Sequence, residues 1–207
     1  MQNSPDIKVK LVQTETETSF TVFSPSAVYA SGTVVSKRER LIEEQSLSLS
    51  ALSQRCKSVV SFQELYGYLS QGGFQYGDVF KNEGNVHYGE DLKEAFAVVT
   101  VPEELRSQLH DYCIHPVVLD FLMQLLPVTV EQSFAGRPGF PAKIGSLTVF
   151  EPLQEEMIVY LRAVDVGSDH FDVCGCFTDR EGRVLVEAKQ VTIKYLGSQS
   201  HVVEDYR

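Results

Sequence analysis

Residues 115–126 read His-Pro-Val-Val-Leu-Asp-Phe-Leu-Met-Gln-Leu-Leu, and this stretch decides the fold. Pro116 stands where a helix accepts proline, at its first position, and Pro127 follows where a helix has to end. Every residue from 117 to 126 is apolar except Asp120 and Gln124. Because a helix with so few polar positions is buried on most sides, the stretch predicts a core helix over residues 117–126.

Strand signals follow this helix. Apolar and polar residues alternate, with many β-branched and aromatic types, over residues 144–150, 157–164, 171–178 and 184–195. The sequence Asp-Arg-Glu-Gly at residues 179–182 separates the last two segments and predicts a hairpin loop. Together these segments predict an antiparallel meander.

The part of the chain before the core helix mixes a second helix with strands. Apolar residues recur at helical spacing after Ser61, which is placed to cap them, and two glycines at 72–73 end the pattern. Residues 85–87 and 94–101 predict strands. From Ser61 onward the elements favour an α+β fold in which one antiparallel sheet wraps one helix.

The first 36 residues form a segment of their own. Strand patterns occur at residues 7–12, 19–23 and 28–35 and predict a short meander. The sequence then becomes charged and serine-rich over residues 37–56, which is typical of a linker.

Composition excludes several classes of protein. The 207 residues carry 18 Lys and Arg against 28 Asp and Glu, a net charge of −10, which argues against a nucleic-acid partner. No apolar run approaches the length of a membrane span. The cysteines are too few and too irregular for a disulfide framework or a zinc site, so we expect reduced thiols, no metal and a cytoplasmic protein. They are Cys56, Cys113, Cys174 and Cys176.

Two polar residues of the core helix are candidates for chemistry. Asp120 and Gln124 stand four residues apart, so they share a helix face and can form a hydrogen bond. Burial among apolar residues raises the pKa of a carboxyl group, which would make Asp120 a proton donor near neutral pH. The alternative is a half-exposed Asp120 that is merely solvated.

A second candidate segment lies at residues 76–80, Tyr-Gly-Asp-Val-Phe. Gly77 lets the backbone approach another group closely, and Tyr76 places a hydroxyl at the end of an apolar ring. Loops that leave helices often contain Gly and Tyr, so a purely structural role is the alternative.

Taken together, the motifs Tyr76-Gly77-x-x-Phe80 and His115-Pro116-x-x-x-Asp120-x-x-x-Gln124 resemble the dehydratase domain of type I polyketide synthases and animal-type fatty acid synthases. That family has a double hotdog fold, in which each of two tandem antiparallel sheets wraps a long helix. The resemblance implies that residues 1–36 are trailing strands of a first hotdog and 37–56 a connector. Residues 57–197 would be the second hotdog and 198–207 a C-terminal tail.

The resemblance also implies an activity, the removal of water from a 3-hydroxyacyl chain on an acyl carrier protein to give a trans-2-enoyl thioester. Asp120 would protonate the departing hydroxyl and Gln124 would orient it. Tyr76, Gly77 and Phe80, together with His115 and Pro116, would contact the substrate, with His115 expected mainly to cap the helix. No cofactor is implied beyond the carrier's phosphopantetheine. The implied partners are the carrier protein and other synthase domains, and a second copy of the chain is a further candidate.

One departure from the family concerns its second catalytic residue. The family's histidine lies in an HxxxGxxxxP element of the first half, but this sequence has no histidine before His87. We therefore expect a portion of a dehydratase that is inactive alone. An inactive dehydratase-like docking domain and a product-template domain are the alternatives.

Overall fold

The computed structural model describes residues 6–36, 46–91, 93–129 and 139–195. The chain divides into two compact units, Met1–Glu43 and Glu44–Arg207. The predicted tail at residues 198–207 and the first part of the predicted linker, residues 37–45, lie outside the described residues.

The first unit is a three-stranded antiparallel meander. Strands β1 (Lys8–Gln13), β2 (Glu17–Ser24) and β3 (Ala27–Val35) pair in chain order, as the alternating sequence predicts. Gly32 lies opposite Phe20 on the neighbouring strand, and a Cβ at this position would lie 2.7 Å from the Phe20 ring. The glycine therefore leaves room for the Phe20 ring beside β3.

The second unit is built on a seven-stranded antiparallel sheet with helices. Its helices are α1 (Leu49–Arg55), α2 (Phe62–Gln71), α3 (Glu103–Arg106) and α4 (Pro116–Met123), with 3-10 helices at Asp78–Phe80, Leu109–Asp111 and Leu126–Val128. Its strands are β4 (Ser58–Ser61), β5 (Asn85–Tyr88), β6 (Glu94–Thr100), β7 (Gly139–Val149), β8 (Glu156–Val166), β9 (His170–Thr178) and β10 (Val184–Tyr195). The strand order is β4-β5-β6-β8-β9-β10-β7.

Helix α4 supplies the centre of the core. Val117, Val118, Phe121 and Leu122 are buried and belong to one cluster with the buried residues of the sheet. A Cβ on Gly175 of β9 would lie 2.6 Å from Leu122 Cδ1, so the missing side chain allows α4 to approach the sheet closely. The predicted α+β layout, one sheet around one helix, is confirmed.

The core helix is shorter than its apolar run predicts. α4 ends at Met123, and Gln124 is its C-terminal cap. Pro127 has no N–H to donate and its ring crowds the carbonyl four residues earlier, so the chain tightens into the 3-10 helix Leu126–Val128. The central helix is thus about two turns long rather than the long helix that was expected.

The start of α2 is confirmed in detail. Ser61 Oγ accepts from the backbone N–H of Glu64, while the Glu64 carboxylate accepts from the backbone N–H of Ser61. This reciprocal pair satisfies two N–H groups that a helix start leaves without partners. Gly73, with a φ of 92°, turns the chain out of the helix toward residues 76–80.

The second half of the predicted linker contains a helix, which corrects the prediction. Residues 49–55 form α1, with Ser48 as its N-terminal cap and Leu52 fully buried. The serine-rich sequence is typical of a linker because serine favours turns, but serine is equally suited to capping a helix. Strand β4, with Val60 buried, directly precedes α2 and has no prediction from the sequence.

Candidate functional site

Helix α4 and the segment at residues 76–80 form the site. His115 is buried and caps α4, because its Nδ1 accepts from the backbone N–H of Val117 at 3.3 Å. Gly77 precedes the 3-10 helix Asp78–Phe80, and the Phe80 N–H donates to the Gly77 carbonyl at 3.0 Å. These local bonds fix where the polar residues of both segments point.

Asp120 is half-buried on α4. Burial raises the pKa of its carboxyl, and a hydrogen bond from Gln124 opposes part of that increase by stabilising the charged form. The direction agrees with the prediction that apolar surroundings favour the protonated acid. Such a group can donate a proton at a pH at which an ordinary aspartate is already ionised.

Gln124 is completely buried and all the hydrogen-bonding capacity of its amide nitrogen is used. Its Nε2 donates to Asp120 Oδ2 at 2.9 Å and to the Phe80 carbonyl at 2.9 Å. Its Oε1 accepts from the Tyr66 hydroxyl at 3.0 Å. The amide therefore connects the carboxyl of Asp120 to both neighbouring segments.

A row of aromatic rings lies beside this network. The ring of Tyr76 has its centroid 5.9 Å from that of Tyr66 and 6.2 Å from that of Phe80. Burial raises the pKa of Tyr66 to about 12 and also raises that of Tyr76, and the negative charge of Asp120 acts in the same direction. Both hydroxyls consequently keep their protons at neutral pH.

A cavity of about 330 Å³ opens beside Asp120. Its wall is mainly aromatic and aliphatic and comes from α2, α4, the segments that follow them, β7 and β9. The lining residues are Tyr68, Leu69, Gly72, Phe74, Gln75, Tyr76, Asp120, Met123, Leu126, Pro127, Gly139, Phe140, Pro141 and Phe171. The arrangement is an apolar pocket with one carboxyl group on its wall.

The structure brings some of the sequence-predicted residues together at this cavity. Tyr76 and Asp120 line it directly. Gln124 does not line the cavity, but its Nε2 donates to Asp120 Oδ2 and to the Phe80 carbonyl. Gly77, His115 and Pro116 are outside the lining, as is Phe80. Their contacts with a substrate stay predictions.

None of the described histidines lines the cavity. His87 on β5 stacks on Phe96 with centroids 5.0 Å apart, and His110 lies in the 3-10 helix Leu109–Asp111. His170 Nδ1 is 2.7 Å from Asp169 Oδ1, which raises the pKa of its imidazole. Within the described part of the chain the cavity lining contains no histidine.

Sequence reasoning missed several residues of the site. The helical spacing after Ser61 identifies Tyr66 only as an apolar position of α2, although its hydroxyl donates to Gln124 Oε1. Phe74, Phe140 and Phe171 converge on the cavity from three separate segments. Tyr66 carries a weak signal, a tyrosine on the face of an amphipathic helix that packs inward, but the convergence of the phenylalanines has none.

The described residues hold neither a group of His, Cys, Asp and Glu that could bind a metal ion nor a helix long and apolar enough to cross a membrane.

Residues 44–201 match the family model described as the polyketide synthase dehydratase N-terminal domain. The chain belongs to this family. Membership agrees with the motifs around Tyr76 and Asp120, both of which lie inside the matched range. It also accounts for the α+β hotdog fold of the second unit, a sheet around a central helix.

Two curated relatives of this polyketide synthase dehydratase chain are large synthases. The chain is 25% identical over 151 residues to polyketide synthase PksN of Bacillus subtilis (strain 168), and the match covers 72% of this chain and 3% of that protein. It is 33% identical over 110 residues to highly reducing polyketide synthase 40 of Fusarium mangiferae, covering 49% of this chain and 4% of that protein. The chain therefore spans only a few per cent of these multidomain relatives.

Solved structures show the same fold. The dehydratase domain from the CurF module of curacin polyketide synthase superposes with a TM-score of 0.79 at 20% sequence identity. The match covers 91% of this chain and 68% of that domain.

Proposed function

We propose that this chain supplies the proton-donating part of a 3-hydroxyacyl-[acyl-carrier-protein] dehydratase site in a polyketide synthase. The observation that carries the proposal is Asp120. Its carboxyl lies on the wall of an apolar cavity, its pKa is raised by burial, and Gln124 holds one of its oxygens. A family that performs dehydration needs such an acid to release the hydroxyl as water.

The proposed reaction forms a double bond between C2 and C3 of the acyl chain. A base removes a proton from C2, the electron pair of that C–H bond forms the new bond, and the C3–O bond breaks. Asp120 gives its proton to the departing oxygen, so that water leaves and Asp120 becomes a carboxylate. The Gln124 N–H on Oδ2 stabilises this carboxylate as it forms.

The cavity suits the acyl chain of such a substrate. Phe74, Met123 and Phe171 offer an apolar wall, which accepts methylene groups and excludes water from the reacting atoms. Tyr76, also on the wall, keeps its hydroxyl proton and can donate a hydrogen bond to the thioester end. A pocket that is mostly apolar favours a reduced acyl chain over a polar one.

The base in this proposal is a histidine that the described residues do not provide. Solved structures of the CurK dehydratase include one inactive mutant with an aspartate-to-asparagine change and another with a histidine-to-phenylalanine change. The inactivity of these two mutants supports an Asp and His pair in CurK. By analogy, Asp120 would act here with a histidine supplied by another part of the synthase.

The proposed setting follows from the reaction. The substrate would arrive on the phosphopantetheine arm of an acyl carrier protein, so the reaction itself needs no cofactor of the dehydratase. The other domains of the synthase would be permanent partners, and pairing of two copies remains a prediction. We also propose a cytoplasmic location, which suits four cysteines that are all free thiols.

The test uses the complete synthase that carries this chain. Asp120→Asn keeps the size of the side chain and removes the proton, so we expect dehydration of a 3-hydroxybutyryl thioester to fall by about a hundredfold or more. The measurement is the rate of enoyl thioester formation by absorbance. Asp165→Asn, a change at an exposed aspartate of β8, is the matched control and should keep wild-type activity.

Full activity of Asp120→Asn, with folding unchanged, would show that Asp120 is not the acid. A second candidate function is an inactive docking domain, which is favoured by the lack of any histidine before His87. That candidate predicts that Asp120→Asn and Asp165→Asn behave alike and that product formation by the synthase does not depend on either carboxyl.

A further inference from the structure

The hydrogen bonds around Gln124 can run in only one direction. The backbone N–H of Asn82 is a donor only, and it donates to the Tyr66 hydroxyl oxygen at 2.6 Å. The single proton of that hydroxyl is then directed to Gln124 Oε1, 3.0 Å away. At the other end the Phe80 carbonyl is an acceptor only, so it requires Nε2. The orientation of the Gln124 amide is set from both ends.

The orientation of the Gln124 amide determines which oxygen of Asp120 carries the acid proton. Because Nε2 donates to Oδ2, this oxygen has to act as the acceptor. The hydroxyl oxygen of a carboxylic acid accepts hydrogen bonds poorly, so the acid proton resides on Oδ1. Within the described residues Oδ1 has no hydrogen-bond partner, and Asp120 lines the cavity. The proton is therefore carried by the oxygen that a ligand can reach.

We infer that Tyr66 is a positioning residue that directs the Asp120 proton to Oδ1 by holding the amide of Gln124 in one orientation. The inference rests on the proposed role of Asp120 as the acid. Tyr66 itself does not touch the reacting atoms in this scheme and acts only through Gln124.

The orientation that Tyr66 disfavours would withhold the proton. A Gln124 amide rotated by half a turn would present Oε1 to Asp120, and Oε1 would accept the acid proton from Oδ2. In that state the Tyr66 hydroxyl would face Nε2, so its own proton would lose its acceptor inside the protein. A part-buried donor without a partner is costly, so Tyr66, together with the Phe80 carbonyl, selects the orientation that leaves Oδ1 free to donate.

Few other groups can influence the titration of Asp120. Burial and the Gln124 hydrogen bond are the two causes that shift its pKa. The neighbouring titratable side chains are the hydroxyls of Tyr66, Tyr68 and Tyr76, and the described cavity lining contains no Lys, Arg, His or Glu. Charged or titratable side chains on the elements that pack on α4 are Asp78, which is paired with Lys81, Glu156, Arg162 and Asp165 of β8, Glu64 of α2, and His170 and Asp172 of β9. The pKa of Asp120 therefore responds to its burial and to the hydrogen bond from the Gln124 amide.

The experiment is an NMR titration of the Asp120 carboxyl carbon in the 207-residue chain. Tyr66→Phe removes the hydroxyl, which weakens donation by Nε2 and leaves only the Phe80 carbonyl to oppose rotation of the amide, and both effects favour the protonated acid. We expect the pKa of Asp120 to rise by about half a unit to one unit. Tyr160→Phe is the matched control, since it removes a hydroxyl that donates to Glu94 at 2.9 Å, and it should leave the Asp120 titration unchanged.

An unchanged Asp120 titration in folded Tyr66→Phe overturns the inference, and so does an equal shift in Tyr160→Phe. If Tyr66→Phe does not fold, 3-fluorotyrosine introduced at position 66 alone keeps the ring and makes the hydroxyl a stronger donor. The pKa of Asp120 should then move down. A rise or no change with 3-fluorotyrosine would overturn the inference as well.

The kinetics separate this inference from the proposed function. In the complete synthase we expect Tyr66→Phe to lower kcat for dehydration about three- to tenfold with KM unchanged. Dehydration needs protonated Asp120, so a raised pKa should also move the alkaline limb of the kcat profile to higher pH. If the NMR shift occurs while Asp120→Asn stays active, the proposed function fails and the hydrogen-bond direction stands. If Asp120→Asn is inactive and Tyr66→Phe leaves kcat and its alkaline limb unchanged, the positioning role fails.

Discussion

The close approach of α4 to the sheet depends on Gly175. A Cβ at this position would lie 2.6 Å from Leu122 Cδ1 and 2.6 Å from the Tyr160 carbonyl oxygen. The leucine can change its rotamer, but the carbonyl belongs to the neighbouring strand of the same sheet and cannot move without breaking the pairing of β8 with β9. We therefore expect Gly175→Ala to destabilise the protein by about 2–3 kcal/mol, the upper part of the range for overpacked cores.

The measurement is urea unfolding followed by far-ultraviolet circular dichroism, because all described helices belong to the second unit. For a unit of this size the same loss corresponds to a drop in Tm of about 5–10 °C. Gly67→Ala is the matched control. Gly67 lies on the exposed face of α2 with no atom within 4 Å of an added Cβ, so this change should stabilise by about 0.5–1 kcal/mol.

A double variant separates the two contacts of the added methyl group. Leu122→Ala removes the leucine contact and leaves the carbonyl contact, so the cost of Gly175→Ala should fall by about 1 kcal/mol in that background. Two results would refute the reasoning. One is a Gly175→Ala protein as stable as wild type, and the other is equal effects of the alanine substitutions at Gly175 and Gly67.

Three further predictions concern protonation, capping and thiol chemistry. The folded-state pKa of Asp120 is raised, so between the unfolded-state and folded-state pKa values the native state binds more protons than the unfolded state, and stability falls as pH rises through this range. The unfolding free energy of Asp120→Asn relative to wild type should therefore increase with pH over the same range. A difference that does not change with pH would contradict this. Ser61→Ala removes the acceptor for a helix N–H and should cost about 1 kcal/mol in urea unfolding, whereas Ser61→Asp should restore most of it. Cys113 is the exposed cysteine, so a disulfide reagent should modify one thiol quickly in the native chain and all four after unfolding, and Cys113→Ser should abolish the fast phase.

The local elements could be predicted because their signals are local. Alternation predicts the strands other than β4, and the cap at Ser61 together with the glycines after α2 predicts both ends of that helix. The errors also have local causes. The serine-rich segment has the composition of a linker, yet Ser48 caps α1 and Leu52 anchors it. The apolar run to residue 126 predicts helix throughout, but Pro127 changes its last turn.

In the candidate site, too, the features that the sequence predicts come from residues close together in the chain. Asp120 and Gln124 are four residues apart, so helix geometry alone predicts their hydrogen bond, and an apolar run alone predicts the direction of the pKa shift. The contacts that we infer to decide which Asp120 oxygen carries the proton come from Tyr66 and Asn82, which are about sixty and forty residues away along the chain. No periodicity contains that information, because it arises only when α2 and the segment after it pack on α4.

In the proposed mechanism the direction of proton donation therefore depends on contacts distant in sequence, whereas the acidity of Asp120 depends on near ones. An acid at position 120 needs only burial, which many amphipathic helices could provide. A directed acid needs donors and acceptors of fixed polarity at both ends of Gln124, and here backbone groups fill those places, the Asn82 N–H and the Phe80 carbonyl. Backbone groups cannot change their polarity by substitution, so Tyr66 and Gln124 are the two side chains at which the direction of proton donation can be altered.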